Sequence, residues 1–247
     1  MLNEQTIDKL VDLRLRSMAS AFREQLDDPA MNGLSFEDRF GLIVDRQWSD
    51  RRSSHIARLI KSATFKFPGA CVENIEYHSD RKLNKDYILK LAAGTYLKGK
   101  NNIIVMGASG AGKSYMGCAL GISACRQFHK TKYIRLPELL EDLHIARGEG
   151  SYKKVLASYK KYQLLILDEW LLSPLTEPQT ADLFEIIESR YGEASTIFIA
   201  QSAPAGWYQM IGESRIADAI LDRIVHNSHE IMIEGDLSMR ERLGLGE

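Results

Sequence analysis

A chain of 247 residues with 45% hydrophobic and 26% charged residues has the make-up of an ordinary globular protein large enough to bury a core. Its net charge of −1 excludes a uniformly basic nucleic-acid binder while leaving room for local basic patches. Cys71, Cys118 and Cys125 lack metal-ligand spacing, and three cysteines argue against a disulfide framework. Cys118 and Cys125 read as small core residues in a reducing compartment. No apolar stretch approaches ~18 residues, which excludes a spanning helix. The N-terminus lacks the pattern of a secretory signal. The expectation is a cytoplasmic protein with no membrane partner.

From the N-terminus, Ile7, Leu10, Val11, Leu15, Met18, Phe22 and Leu26 recur at helical spacing, until Asp27-Asp28-Pro29 and Asn32-Gly33 break the run. Ser35 starts a second helix with Phe36, Phe40, Val44 and Trp48 on one face. A third runs through Ile56, Leu59, Ile60 and Ala63. Three amphipathic helices burying their stripes against one another predict a small helical domain over residues 1–66. Phe67-Pro68-Gly69 marks its end. Residues 67–247 then alternate: strands at 103–106, 132–135, 164–167, 196–200 and 230–234, helices near 83–97, 113–128, 137–147, 152–161, 177–191, 204–211 and 214–225. Apolar strands alternating with helices predict a parallel sheet covered on both faces.

Two motifs carry chemistry. Gly107-Ala108-Ser109-Gly110-Ala111-Gly112-Lys113-Ser114 is a full G-x-x-x-x-G-K-[ST] loop, set between an apolar β-branched run (Asn102–Met106) and a Gly/Ala-rich helix from Tyr115. Such a loop wraps a nucleotide's phosphates with inward N–H groups, so glycines are favoured; residues 107–115 are its nucleotide contacts. Lys113 reaches the β- and γ-phosphates, and the Ser114 hydroxyl coordinates Mg²⁺. Leu164-Leu165-Ile166-Leu167-Asp168-Glu169 is a buried strand tipped by two acids, at the edge where open α/β sheets place ligands. Asp168 would hold Mg²⁺, largely through water, and Glu169 would orient and deprotonate an attacking water. A base for water points to hydrolysis of a nucleoside triphosphate, since a small-molecule kinase must exclude water.

These motifs, the Ser195-Thr196-Ile197 strand leading to Gln201, and the stretch Ala217-Asp218-Ala219-Ile220-Leu221-Asp222-Arg223-Ile224-Val225-His226-Asn227 together resemble IstB. IstB proteins are the helper AAA+ ATPases of bacterial insertion sequences, related to DnaC helicase loaders and the initiator DnaA. The likeness spans nearly the whole chain. It implies an α/β P-loop NTPase fold of the AAA+ kind, a parallel-sheet sandwich preceded by a small all-helical domain and followed by a much reduced C-terminal lid. It also implies ATP and Mg²⁺ as cofactors. By the same resemblance Gln201 is a polar sensor of the γ-phosphate and water, with Gln standing where relatives often have Asn. Arg223 is implied to be an arginine finger inserted into the neighbouring subunit's ATP site, with an intramolecular pair to Asp222 or Asp218 as its alternative. Arg240, in Leu237-Ser238-Met239-Arg240, matches a second sensor.

Two segments suit DNA phosphates. Arg46 to Lys66 holds six basic residues against one acid, Asp50, and a helix there aligns Arg51, Arg58 and Lys61 on the face opposite Ile56, Leu59 and Ala63. Ser151 to Tyr162 offers Lys153 and Lys154 for phosphates, and Tyr152 and Tyr159 either for base stacking or for packing. Initiator and loader relatives carry a DNA-facing helix at the second place. The expected function is an ATP-dependent DNA-binding regulator of transposition. It would form a homo-oligomer on duplex DNA, with ATP sites shared between subunits, deform that target and present it to the cognate transposase. The alternatives are a DnaC-type helicase loader and a nucleotide-gated DNA scaffold with incidental hydrolysis.

Overall fold

The computed structural model describes residues 2–212, 215–235, 237–242 and 244. It divides into two compact units, Met1–Arg58 and Leu59–Glu247.

In the first unit the helices are cut differently from the apolar spacing. The first run is two helices, α1 (Leu2–Asp12) and α2 (Arg16–Asp27), because Arg14 adopts a left-handed φ of 60° and turns the chain between them. Asp28, whose side chain accepts from the Ala30 N–H, then caps a 3₁₀ turn over Pro29–Gly33. The second and third runs are a single helix, α3 (Phe36–Ala63), of 28 residues. Nothing between Trp48 and Ile56 interrupts it: the polar stretch there contains neither Gly nor Pro. The boundary between units therefore falls inside α3, ahead of Phe67-Pro68-Gly69, and Leu59, Ile60, Ala63 and Phe65 pack into the second unit's core.

The stripes of this unit do not all turn inward. Ile7, Ala19 and Ile43 are buried, but Phe36 is 75% exposed, Trp48 61%, and Phe40 and Val44 are exposed as well. The face of α3 that meets α2 is fixed by polar bonds instead. Gln25 Nε2 donates to Arg39 O (2.9 Å), and Gln47 Oε1 accepts from the Met18 N–H (3.3 Å). Those bonds turn the Phe36–Trp48 stripe outward.

The second unit adds α4 (Lys85–Ala92), α5 (Thr95–Gly99), β1 (Asn102–Gly107), α6 (Lys113–Arg126), β2 (Thr131–Arg135), α7 (Leu136–Gly148), α8 (Tyr152–Lys160) and β3 (Leu164–Trp170). It continues with α9 (Glu177–Arg190), β4 (Ser195–Ala200), α10 (Trp207–Ile211), α11 (Arg215–Val225), β5 (Ser228–Ile233) and α12 (Met239–Arg242). The sheet is wholly parallel, in the order β2-β3-β4-β1-β5. Alternate residues feed two cores. Ile103, Val105, Ile166 and Ile199 pack with α4, α5 and α6 on one face. Ile104, Leu165, Leu167 and Phe198 pack with α7, α9 and α11 on the other. Helix α6 approaches the sheet closely because it carries Gly117 and Gly121. A Cβ on Gly117 would lie 2.5 Å from Ile199 Cδ1, and one on Gly121 2.6 Å from Ile166 Cδ1. Cys118 and Cys125 are buried and free, as small core residues. Among the described residues no helix is long and apolar enough to cross a membrane.

Candidate active site

Three strands deliver the site. β1 ends at Gly107 and passes into the loop; β3 carries Asp168 and Glu169; β4 lies between them. Ala200 at its end pairs with Met106 on one side and Trp170 on the other. Gln201, the next residue, therefore sits between loop and acids. Ser109, Gly110, Gly112, Lys113, Ser114, Tyr115, Asp168, Glu169 and Gln201 line one cavity of about 580 Å³. That is the scale of a nucleotide-sized pocket, on the order of 300–1,000 Å³.

The loop presents donors. Gly112, at φ 90°, leads into α6, whose first turn has no side-chain cap. The N–H groups there and the positive end of the helix dipole favour an anion. Lys113 is only 9% exposed, and its Nζ donates to Gly107 O (2.8 Å) and Ala108 O (2.7 Å). Burial lowers the pKa of this ammonium, and Asp168 opposes that shift. A buried cation held by two neutral carbonyls is a natural partner for phosphate oxygens.

The acids are held by their own surroundings. Asp168 is 3% exposed; its Oδ2 accepts from Tyr133 OH, and its Oδ1 accepts from the Glu169 N–H at 2.7 Å. Burial, followed by the bond to Asp168, raises the Tyr133 pKa, which keeps the phenol a donor. At Glu169 the strand bulges. Leu167 pairs with Phe198 and Trp170 with Ala200, so Asp168 and Glu169 together oppose Ile199. Glu169 has a left-handed φ of 56°. Such strain persists where neighbours over-determine it. Here Asp168 is bonded on one side, and on the other Trp170 is wedged at 4.6 Å from Phe198 and 5.5 Å from Trp207 (ring centroids). The carboxylate of Glu169 faces Arg135 Nη1 at 3.5 Å, while Arg135 Nη2 pairs with Glu138 at 2.6 Å.

The donor set fits ATP with Mg²⁺. The Ser114 hydroxyl and Asp168 carboxylate share the cavity with Lys113. A Mg²⁺ ion needs few protein ligands when phosphates and waters complete its octahedron. Phe67 and Tyr115, with ring centroids 6.0 Å apart, together with Ile75 give one end of the cavity an apolar wall suited to a base.

Other expected residues lie elsewhere. Arg223, near the end of α11, is ion-paired with Glu188, not with Asp222 or Asp218, and its guanidinium lies 5.5 Å from the Phe184 ring. It lines a pocket with Lys100, Asn102, Thr196 and Asn227, at the amino-terminal ends of the strands. The phosphate loop is at their carboxyl-terminal ends, a six-residue strand away, roughly 20 Å. The side chain of Arg240 is outside the described residues. Lys153 and Lys154 are exposed on α8, as are Arg51, Arg58 and Lys61 on α3. Tyr152 and Tyr159 are packing residues: Tyr159 is buried with its OH on Asp142 (2.7 Å), and Tyr152 donates to the buried Asp182 (2.9 Å) beneath the Arg147 guanidinium. Base stacking by that pair is thereby excluded in this packing. Tyr133, Arg135, Phe67 and Arg81 join the site without having been singled out from sequence. A polar residue closing an apolar strand was a usable signal for Arg135 only.

A glycine-rich loop on β1, an acid pair tipping β3 and this strand order define a P-loop nucleotide-binding protein of the AAA+ class. The chain belongs to the family of IstB-like ATP binding proteins, whose model matches residues 8–244. It is 39% identical over 98% of its length to the insertion sequence ATP-binding protein y4pL of Sinorhizobium fredii, covering 98% of that protein. It is 40% identical to the IS1162 ATP-binding protein of Pseudomonas fluorescens, over 81% of this chain and 87% of that one. Among solved structures, the initiator DnaA bound to AMPPCP and single-stranded DNA superposes with a TM-score of 0.60 at 20% identity, covering 72% of this chain and 55% of that one. The DnaC helicase loader gives 0.55 at 17% identity, covering 67% and 97%. At such identity these two likenesses are likenesses of fold.

Proposed function

We propose that this chain is an ATP-hydrolysing, DNA-binding regulator of transposition, whose subunits assemble on duplex DNA and present that target to a cognate transposase. The observation that supports it most is the placement of Arg223 at the edge of the sheet opposite the loop and the acids. Loop, acids and Gln201 meet at the carboxyl edge, and Arg223 lies at the amino edge, too far away to serve its own chain's nucleotide. A second subunit brings the edges together.

In this reading the triphosphate takes the Lys113 ammonium away from Gly107 O and Ala108 O, and the α6 N-terminus holds the β-phosphate. Ser114 and Asp168 would hold Mg²⁺, which would supply neutralisation of the charge developing on the phosphoryl oxygens. Glu169, released from Arg135, orients the attacking water and accepts its proton. Gln201 donates its amide to the γ-phosphate. Arg223 leaves Glu188 and completes the neighbouring site, a contribution worth ~10³–10⁵ in rate in phosphoryl transfer. Lys153 and Lys154, with Arg51, Arg58 and Lys61, contact DNA backbone. The exposed Phe36–Trp48 stripe, with Phe36 and Phe40 stacked at 5.9 Å, suits self-association of the helical unit, because isolated soluble units rarely leave such a run bare. Relatives named for insertion sequences match this chain over 98% and 87% of their own lengths, which favours transposition over helicase loading.

Sedimentation of the full chain with Mg²⁺ and AMPPCP, with and without duplex DNA, tests the reading. Nucleotide-dependent assembly that DNA strengthens is expected. A monomer under all conditions overturns it.

A further inference from the structure

Resting on the nucleotide reading above, one buried cation beside the loop still needs a partner. Arg81, in the segment ahead of α4, is 5% exposed and lines the same cavity as Lys113 and Glu169. Its Nη1 donates to Glu76 O and its Nη2 to Ala111 O (2.9 Å), so two of its five N–H groups have acceptors among the described residues, and both acceptors are neutral. The neighbouring carboxylates are engaged elsewhere: Glu76 with His78 at 2.7 Å, and Asp80 with Arg242.

Arg190 shows what a purely structural buried arginine looks like in this fold. It donates four bonds, to Thr196 Oγ1 (3.1 Å), Tyr159 O (3.0 Å), Tyr162 O (2.8 Å) and Ser195 O (2.5 Å). Its surroundings leave about 10 Å³ of space, against the 580 Å³ cavity beside Arg81. A desolvated guanidinium with spare donors on a large cavity is under-satisfied until an acceptor-rich anion arrives. The loop is shaped for it: a Cβ on Gly112 would stand 3.1 Å from Arg81 Nη2.

We propose that Arg81 is a nucleotide ligand acting within its own subunit, donating the N–H groups that have no acceptor among the described residues to phosphate oxygens, from the chain segment that precedes the sheet. It thereby fills, from the N-terminal side of the loop, the cationic role that the family likeness assigned to Arg240. Burial lowers the pKa of the Arg81 guanidinium, against the opposing pull of the Glu76 and Asp80 carboxylates.

The test is equilibrium titration of the full-length parent, Arg81→Gln and Arg81→Lys with AMPPCP, ADP and AMP in Mg²⁺, alongside each protein's nucleotide-free melting temperature. For Arg81→Gln the affinity loss is expected to grow with phosphate number, to ~10–100-fold for AMPPCP and little for AMP. Arg81→Lys, which keeps the charge without the fork, is expected to lie between, and it carries the test should the Gln variant fail to fold. Equal losses for all three nucleotides, or none in either variant, overturn the assignment while leaving the nucleotide site intact. A parent that binds none of the three overturns the nucleotide reading itself.

Discussion

At the amino edge of the sheet, polar groups find their partners inside the chain: Arg190 spends four donors, Asn102 Oδ1 accepts from the Thr196 N–H at 2.9 Å, and Asn227 Nδ2 donates to Lys100 O at 2.9 Å. At the carboxyl edge, Lys113 and Arg81 are also buried but lean on loop carbonyls beside a 580 Å³ cavity. The same strands thus end in a closed hydrogen-bond network on one side and in unspent donors on the other. Saturated donors hold a fold together; unspent buried donors mark a ligand. Arg223 stands between these cases, since it lies at the amino edge yet its only carboxylate partner among the described residues is Glu188, itself half exposed.

Removing Arg223 tests the contrast hardest. Arg223→Ala is expected to lower the turnover of assembled protein by ~10³-fold or more while leaving the monomer's nucleotide affinity unchanged. Matched losses of turnover and affinity would return Arg223 to the fold of its own chain. Glu169→Gln comes next: hydrolysis should fall by ~10²–10⁴, with nucleotide and DNA still bound and the oligomer trapped. Release of DNA at the parent's rate would show that hydrolysis is not the timer. At the amino edge, Arg190→Met strands four acceptors and is expected to cost ~2–4 kcal/mol in urea unfolding. Nucleotide affinity of the folded protein should not change, and a large change would erase the distinction between the edges. The smallest effect is outside the sheet. Lys153→Ala with Lys154→Ala should weaken duplex binding and reduce its salt slope by ~2; an unaltered slope removes α8 from the DNA interface.

What the sequence made legible follows the same division. The β-branched strands and the contiguous motifs are local, so their periods and spacings carried them: Ser109, Gly110, Gly112, Lys113, Ser114, Asp168 and Glu169 fall on one cavity as their strand ends require. In the helical unit the stop at Asp27-Asp28-Pro29 was legible and ends α2, but the break at Arg14 and the continuity of α3 were not. A change in apolar phase at Ser49–His55 does not bend a helix that has no Gly or Pro, whereas Arg14 breaks one by backbone conformation alone. Tyr133 and Arg81 were hidden for another reason. Each joins the site across the fold, through strand register or a returning segment, and a single sequence records neither. Tyr152 and Tyr159 were left open between stacking and packing, since helical spacing alone cannot tell the two faces apart, and the acids that decide for packing, Asp182 and Asp142, come from α9 and α7.

The central claim is that the carboxyl edge binds a nucleoside triphosphate through Lys113. Calorimetric titration of the parent chain and Lys113→Ala with AMPPCP and Mg²⁺ addresses it most directly. One nucleotide per parent chain, and at least ~100-fold weaker binding by the variant, is the predicted result. A parent that takes up no nucleotide, or a variant that binds as tightly as the parent, would contradict it.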